Sequence, residues 1–157
     1  MNPEQTHPAG VQAFAHVGIT VSDLQHTIDF WQQVLGFTLQ GTTEVGGPLA
    51  EDVTGVPGIR SKVAFLKKDS LTLEFIQPLQ PEDRKTYRPT PVDVGFWHVA
   101  LKVSNLDQMI QACGEWGWQI RGKVALVKEK PGPVGARLVY LQNQDGTILE
   151  LVEFPGS

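Results

Sequence analysis

The chain is written twice. HVGITVSDLQHTI, starting at His16, reads against HVALKVSNLDQMI, starting at His98, and the two histidines stand 82 positions apart (98 − 16). Further along, KVAFLKKDSLTLEFI from Lys62 reads against LVYLQNQDGTILELV from Leu138, and Glu74 and Glu150 stand 76 apart (150 − 74). GVPGIR before the first of these strands is echoed by GPVGAR before the second. A duplication of this length predicts two copies of one supersecondary unit that must pack together to bury their apolar faces. At 157 residues the chain fits one domain built in that way.

Each copy parses in the same order. Residues 12–20 alternate and are rich in Phe, Val and Ile, as a half-buried strand is. Ser22 with Gln25 opens a helix in a capping-box pattern, and Ser104 with Asp107 repeats it. Leu24, Ile28, Trp31 and Leu35 fall on one helical face, with Gly36 as the stop; Ile110, Cys113 and Trp116 lead to Gly117 in the second copy. KKDS and NQDG read as hairpin turns between alternating strands. The expectation is an α+β fold of two βαβββ modules, about 12–77 and 95–154, behind a tail at 1–11. The Pro-rich, charged stretch 78–94 joins them.

Composition narrows the function classes. A net charge of −4 with no clustered Lys and Arg argues against nucleic acid as a partner. Apolar runs are too short for a membrane span, and MNPEQTHPAG lacks the pattern of a signal peptide. Cys113 stands alone, so no intramolecular disulfide forms, which suits a reducing, cytoplasmic setting.

The chemistry lies in residues that are expensive to place. Glu74 in LTLEFI and Glu150 in TILELV sit among strand-forming apolar residues, where an ionised carboxylate needs a cation or donors. His16 and His98 occupy matching positions near the middle of each copy's first strand. Imidazole nitrogen and carboxylate oxygen are good ligands for divalent metals, so His16, Glu74, His98 and Glu150 are the expected metal set. Glu153, by period-two alternation, falls on the other face from Glu150 and is expected in solvent; His7 and His26 are left out of the set.

The segments HVGITVSDLQHTIDFWQQVLGF, LTLEFIQP, FWHVALKVSNLD and GARLVYLQNQDGTILELVEF resemble the vicinal oxygen chelate superfamily of glyoxalases, bleomycin-resistance proteins and dioxygenases. The resemblance runs from about residue 12 to 154. It implies paired βαβββ modules forming a cupped eight-stranded mixed sheet with helices outside, around one divalent ion (Ni, Co, Zn, Mn or Fe). It also implies a homodimer. The order His, Glu, His, Glu is similar to that of glyoxalase I-like members. The implied activity is a lyase or isomerase that moves a proton through a chelated enediolate, on a small molecule with vicinal oxygens. Glu150 or Glu74 would serve as base, Glu150 favoured by analogy. An acyl-CoA epimerase-like isomerase, an extradiol-type dioxygenase and a non-catalytic binding protein of the same fold are the alternatives. The sequence leaves open whether the cup forms within one chain or from two.

Further pocket candidates come from position alone. Arg60 and Arg137 precede matching strands and suit a substrate carboxylate or phosphate. Phe14, Phe65, Trp97 and Tyr140 are candidate wall residues, and the loop from Asp52 to Gly58 is a candidate lid.

Overall fold

The computed structural model describes residues 10–156, so His7 and most of the expected tail lie outside the described residues. The first copy runs β1 (Val17–Thr20), α1 (Leu24–Gln33), β2 (Thr38–Gly46), α2 (Pro48–Thr54), β3 (Arg60–Lys68) and β4 (Leu71–Gln80). The second runs β5 (Val99–Lys102), α3 (Leu106–Glu115), β6 (Gln119–Ile120), β7 (Ala125–Leu126), β8 (Arg137–Gln142) and β9 (Ile148–Glu153). The α+β class and the duplicated order hold. Within the chain, however, the strands make two sheets, β1-β4-β3-β2 and β5-β9-β8-β6 with β7 also on β8, in place of one eight-stranded sheet. In both sheets the first strand pairs parallel to the last, β1 with β4 and β5 with β9, and leaves its other edge free.

Local details shift by small amounts. The strands β1 and β5 begin one residue after His16 and His98, so the histidines flank their strands and do not sit mid-strand. The helix caps are Asp23 and Asn105, one residue later than expected; each side chain accepts from the N–H three positions on. Gly36 and Gly117 end the helices with positive φ, at 69° and 86°, which a side chain would resist. The segment expected as a loop from Asp52 to Gly58 starts inside α2, which follows Gly47, begins with Pro48 and buries none of its residues. Strand β4 continues to Gln80, three residues into the expected connection. Beyond it, Arg88 donates to the Gln144 carbonyl, and the Tyr87 carbonyl fills the space a side chain at Gly146 would need.

The core explains where each strand's other face must point. Ile19, Ala64, Leu66, Leu73 and Phe75 from the first sheet join Val99, Val139, Leu141, Leu149 and Leu151 from the second in one buried cluster. The helices lie on this side: Ile28 and Trp31 of α1 and Cys113 of α3 belong to the same cluster. Phe30 stacks on Trp118 across the two copies, ring centroids 5.1 Å apart, and leans on Trp116 at 6.1 Å. Each such side chain contributes about 1.5–3 kcal/mol by leaving water. Alternate positions on every strand therefore face away from the shared core. No helix among the described residues is long and apolar enough to cross a membrane.

Candidate functional site

The outward faces carry the His/Glu residues. On the first sheet His16 Nε2 lies 3.1 Å from Glu74 Oε2, and on the second His98 Nε2 lies 2.9 Å from Glu150 Oε2. The register is the same in both: Glu74 stands opposite Gly18, two residues past His16, and Glu150 opposite Ala100, two residues past His98. Both glutamates are largely covered, at 20% and 16% side-chain exposure, while the histidines are more open at 41% and 31%. The second pair is the drier of the two.

The donor chemistry fits half a coordination sphere at each place. Two ligand atoms bound side by side to a metal at about 2.1 Å stand roughly 3 Å apart, which is the gap found in each pair. Among the described residues no three His, Cys, Asp or Glu side chains come together, so the four stand as two separate pairs within the chain. Each pair lies on its own sheet, on the face turned away from the common core.

Aromatic rings frame both pairs. Phe65 meets the His16 ring edge-on at 5.7 Å. Tyr140 stands opposite Glu150 in the β8–β9 register, and its ring lies 5.0 Å from that of His98. Burial holds the Tyr140 phenol above its usual pKa, and the Glu150 carboxylate pushes the same way, so the hydroxyl keeps its proton. Phe96 completes this wall, 6.0 Å from His98 and 6.3 Å from Tyr140. Sequence reading missed Phe96, although its place two residues before His98 puts both on one side of an extended segment.

The two arginines go elsewhere. Arg137 is three positions from Tyr140, so it projects to the helix face, where it pairs with Asp107 at 2.7 Å and Glu153 at 3.2 Å. Those contacts hold the Asp107 carboxyl below its usual pKa, with the Arg137 hydrogen bond the largest cause. Glu153 is on the expected face but is bonded, accepting from the Leu106 N–H as well as from Arg137. Arg60 is paired with Glu44 at 3.3 Å, five residues along β3 from Phe65. Trp97 and Phe14 are 42% and 62% exposed.

Comparisons with known proteins agree with the architecture. The family model described as the Glyoxalase/Bleomycin resistance protein/Dioxygenase superfamily matches residues 15–133. A 2-epi-5-epi-valiolone epimerase from Actinomyces sp. is 28% identical, with 93% of this chain and 81% of that protein covered. A lactoylglutathione lyase from Arabidopsis thaliana is 26% identical over 89% of this chain, which spans only 44% of the plant protein. Among solved structures, a glyoxalase family protein from Bacillus cereus superposes with a TM-score of 0.77 at 24% identity, covering 92% and 95% of the two chains. The fosfomycin resistance protein FosX from Listeria monocytogenes, solved with Mn(II) and sulfate, gives 0.59 at 16% identity over 92% and 93%.

Proposed function

The chain belongs to the glyoxalase/bleomycin resistance protein/dioxygenase superfamily, and on that premise we propose that it is a lyase or isomerase dependent on one divalent metal. It transfers a proton beside a carbonyl of a small substrate that offers two neighbouring oxygens. The observation that carries this reading is the duplicated contact, His16 with Glu74 and His98 with Glu150, at the spacing of adjacent metal ligands.

One metal set needs both pairs, and a second copy of the chain supplies the missing half. The free edges of β1 and β5 lie beside the two pairs. Setting β1 of one copy against β5 of another joins the four strands of one sheet to the five of the other, brings the first pair of one chain to the second pair of its partner, and covers two edges that would otherwise invite pairing. A homodimer then holds two equivalent sites.

A divalent cation bound there supplies Lewis acidity, lowering the cost of removing a proton next to a carbonyl. The chain's own residues do the rest. Glu150 takes the proton: it is the less exposed glutamate, and its Oε2 lies 2.9 Å from His98 Nε2 on the face that Tyr140 shares. The protonated Tyr140 phenol stands ready to donate to a substrate oxygen, and Phe65 and Phe96 help keep water from the reacting carbon. Since the chain spans most of the bacterial epimerase and less than half of the plant lyase, return of the proton to the carbon it left is the favoured outcome.

The test is metal analysis of the purified protein together with deuterium wash-in from heavy water. Probes are hemithioacetals of 2-oxoaldehydes, α-hydroxyketones and branched acyl-CoA thioesters. Exchange that disappears with a chelator and returns with manganese or nickel is expected. A protein without bound metal that exchanges none of these protons would end the reading, and redox-active iron with oxygen uptake would move it to ring-cleaving dioxygenase chemistry.

A further inference from the structure

A cavity of about 310 Å³ opens on the outward side of the second sheet, beside Tyr140. Its floor includes Leu138 and Tyr140, and its sides include Pro91, Arg121 and Lys123. Leu138, Tyr140 and Gln142 alternate along β8, so they share the face that carries Glu150. The Tyr140 ring is thus a common wall: one part of it lines this cavity and the ring also packs against His98. Arg121 follows β6 and is tied down twice, its N–H donating to the Tyr140 carbonyl at 2.9 Å and its guanidinium to Gln142 Oε1 at 2.7 Å. A neutral amide orients that guanidinium without neutralising it. Among the described residues it forms no ion pair; Asp93, the acid close enough to interact with it, is already held by the Thr90 N–H and hydroxyl. A second, smaller cavity on the other side of Arg121 adds Arg88. Arg121 and Lys123 on this cavity, with Arg88 on the neighbouring one, outnumber the Asp93 carboxylate and leave a local field that attracts anions.

We infer that this cleft holds the anionic end, a carboxylate or phosphate, of the substrate whose reacting carbon sits at the His98–Glu150 pair. The inference rests on the proposed proton-transfer reading and adds the substrate class: a compound with two adjacent oxygens at one end and a negative group at the other. A planar guanidinium fixed by Gln142 presents its remaining N–H donors in a fork that suits either anion, while Lys123 adds charge without geometric demand. Tyr140 then acts twice, once beside the reacting end and once along the chain that joins it to the anion.

Three probes separate the contributions in titration calorimetry with the manganese-loaded protein: acetohydroxamate, neutral with two adjacent oxygens; phosphoglycolohydroxamate, the same group with a phosphate; and succinohydroxamate, with a carboxylate. An anionic probe is expected to bind at least about tenfold more tightly than acetohydroxamate, as a charge-assisted pair would give. Whichever anion gains identifies the substrate's charged group. In Arg121→Gln/Lys123→Gln the gain falls to less than about threefold while acetohydroxamate binding is unchanged; the single, exposed Lys123→Gln gives a partial loss should the double variant misfold. Equal binding of all three probes by the unaltered protein, or a gain that survives in the variants, overturns the inference. Inorganic phosphate titrated into the metal-free protein and followed at the Arg121 side-chain N–H by NMR keeps the two readings distinct. A shift there with no chelator binding upholds the cleft and removes the metal, whereas no shift and no anion preference removes the cleft.

Discussion

Glu153 accepts the backbone N–H of Leu106 at 3.0 Å, fastening the last strand of the second copy to the first turn of its helix. The first copy has the same fastening from a different residue, Gln77 to the Leu24 N–H at 2.9 Å. The spacings obey the duplication: 76 positions separate Gln77 from Glu153 and 82 separate Leu24 from Leu106, as they separate the paired glutamates and histidines. One face of each last strand thus holds the helix, and the other carries a glutamate in contact with a histidine.

Removing this tie should cost stability without touching the site. Glu153→Ala leaves the Leu106 N–H and Arg137 short of a partner and is expected to lower unfolding free energy by about 1–2 kcal/mol. Glu153→Gln copies the first unit's solution and should lose less than half of that. Denaturant titration of the two variants, with equal slopes, measures the difference; a greater loss in the Gln variant would mean that charge, and not the hydrogen bond to Leu106, is what matters.

The paired glutamates should divide by role. Glu150→Gln keeps the size and one ligand oxygen but loses the basic carboxylate, so kcat should fall by about 10²–10⁴ with metal partly retained. Glu74→Gln should reduce metal affinity with a smaller effect on kcat once metal is restored. Metal content and turnover of metal-saturated variants decide it; equal losses would withdraw the assignment of Glu150 as base.

Much of this was legible before any coordinates. The duplication gave the element order, and period-two alternation put Glu150 and Glu153 on opposite faces. The same alternation, applied to Arg137 and Tyr140, would have sent Arg137 to the helix side, where it meets Asp107. What sequence pattern could not yield was the arrangement of the copies. Each sheet's helix-facing side is apolar whether the two share a core back to back or join edge to edge, so the separation of the pairs depends on contacts such as Phe30 with Trp118. Arg121 was hidden for a similar reason, because the contacts that place it, with Tyr140 and Gln142, come from residues distant in sequence.

Cys113 should be inert in the native protein. It is fully buried on α3, and burial pushes its thiol up to about 12. At pH 8 only about one thiol in ten thousand would then be ionised, and the same packing bars a reagent from reaching it. Raising the pH toward 12 increases the thiolate fraction and weakens the fold, because the unfolded chain gives up that proton earlier. Labelling with an alkylating agent should be slow at pH 8 and become stoichiometric in denaturant. Rapid labelling of the native protein would show that α3 opens readily from the shared core.

The proposed two-chain site makes a prediction that no single-chain site can meet. His16→Ala damages only the first pair and Glu150→Ala only the second, so each variant alone should be close to inactive. In a mixed dimer, one site combines both lesions. The other combines the intact first pair of the Glu150→Ala chain with the intact second pair of the His16→Ala chain. Random mixing after reversible dissociation makes half the dimers mixed, each with one sound site of two, so activity should return to about a quarter of that of the unaltered protein. Sedimentation checks that dimers form, and metal content should recover in the same proportion. If the four ligands met within one chain, every site in the mixture would carry a lesion. The mixture would then remain as inactive as its parts.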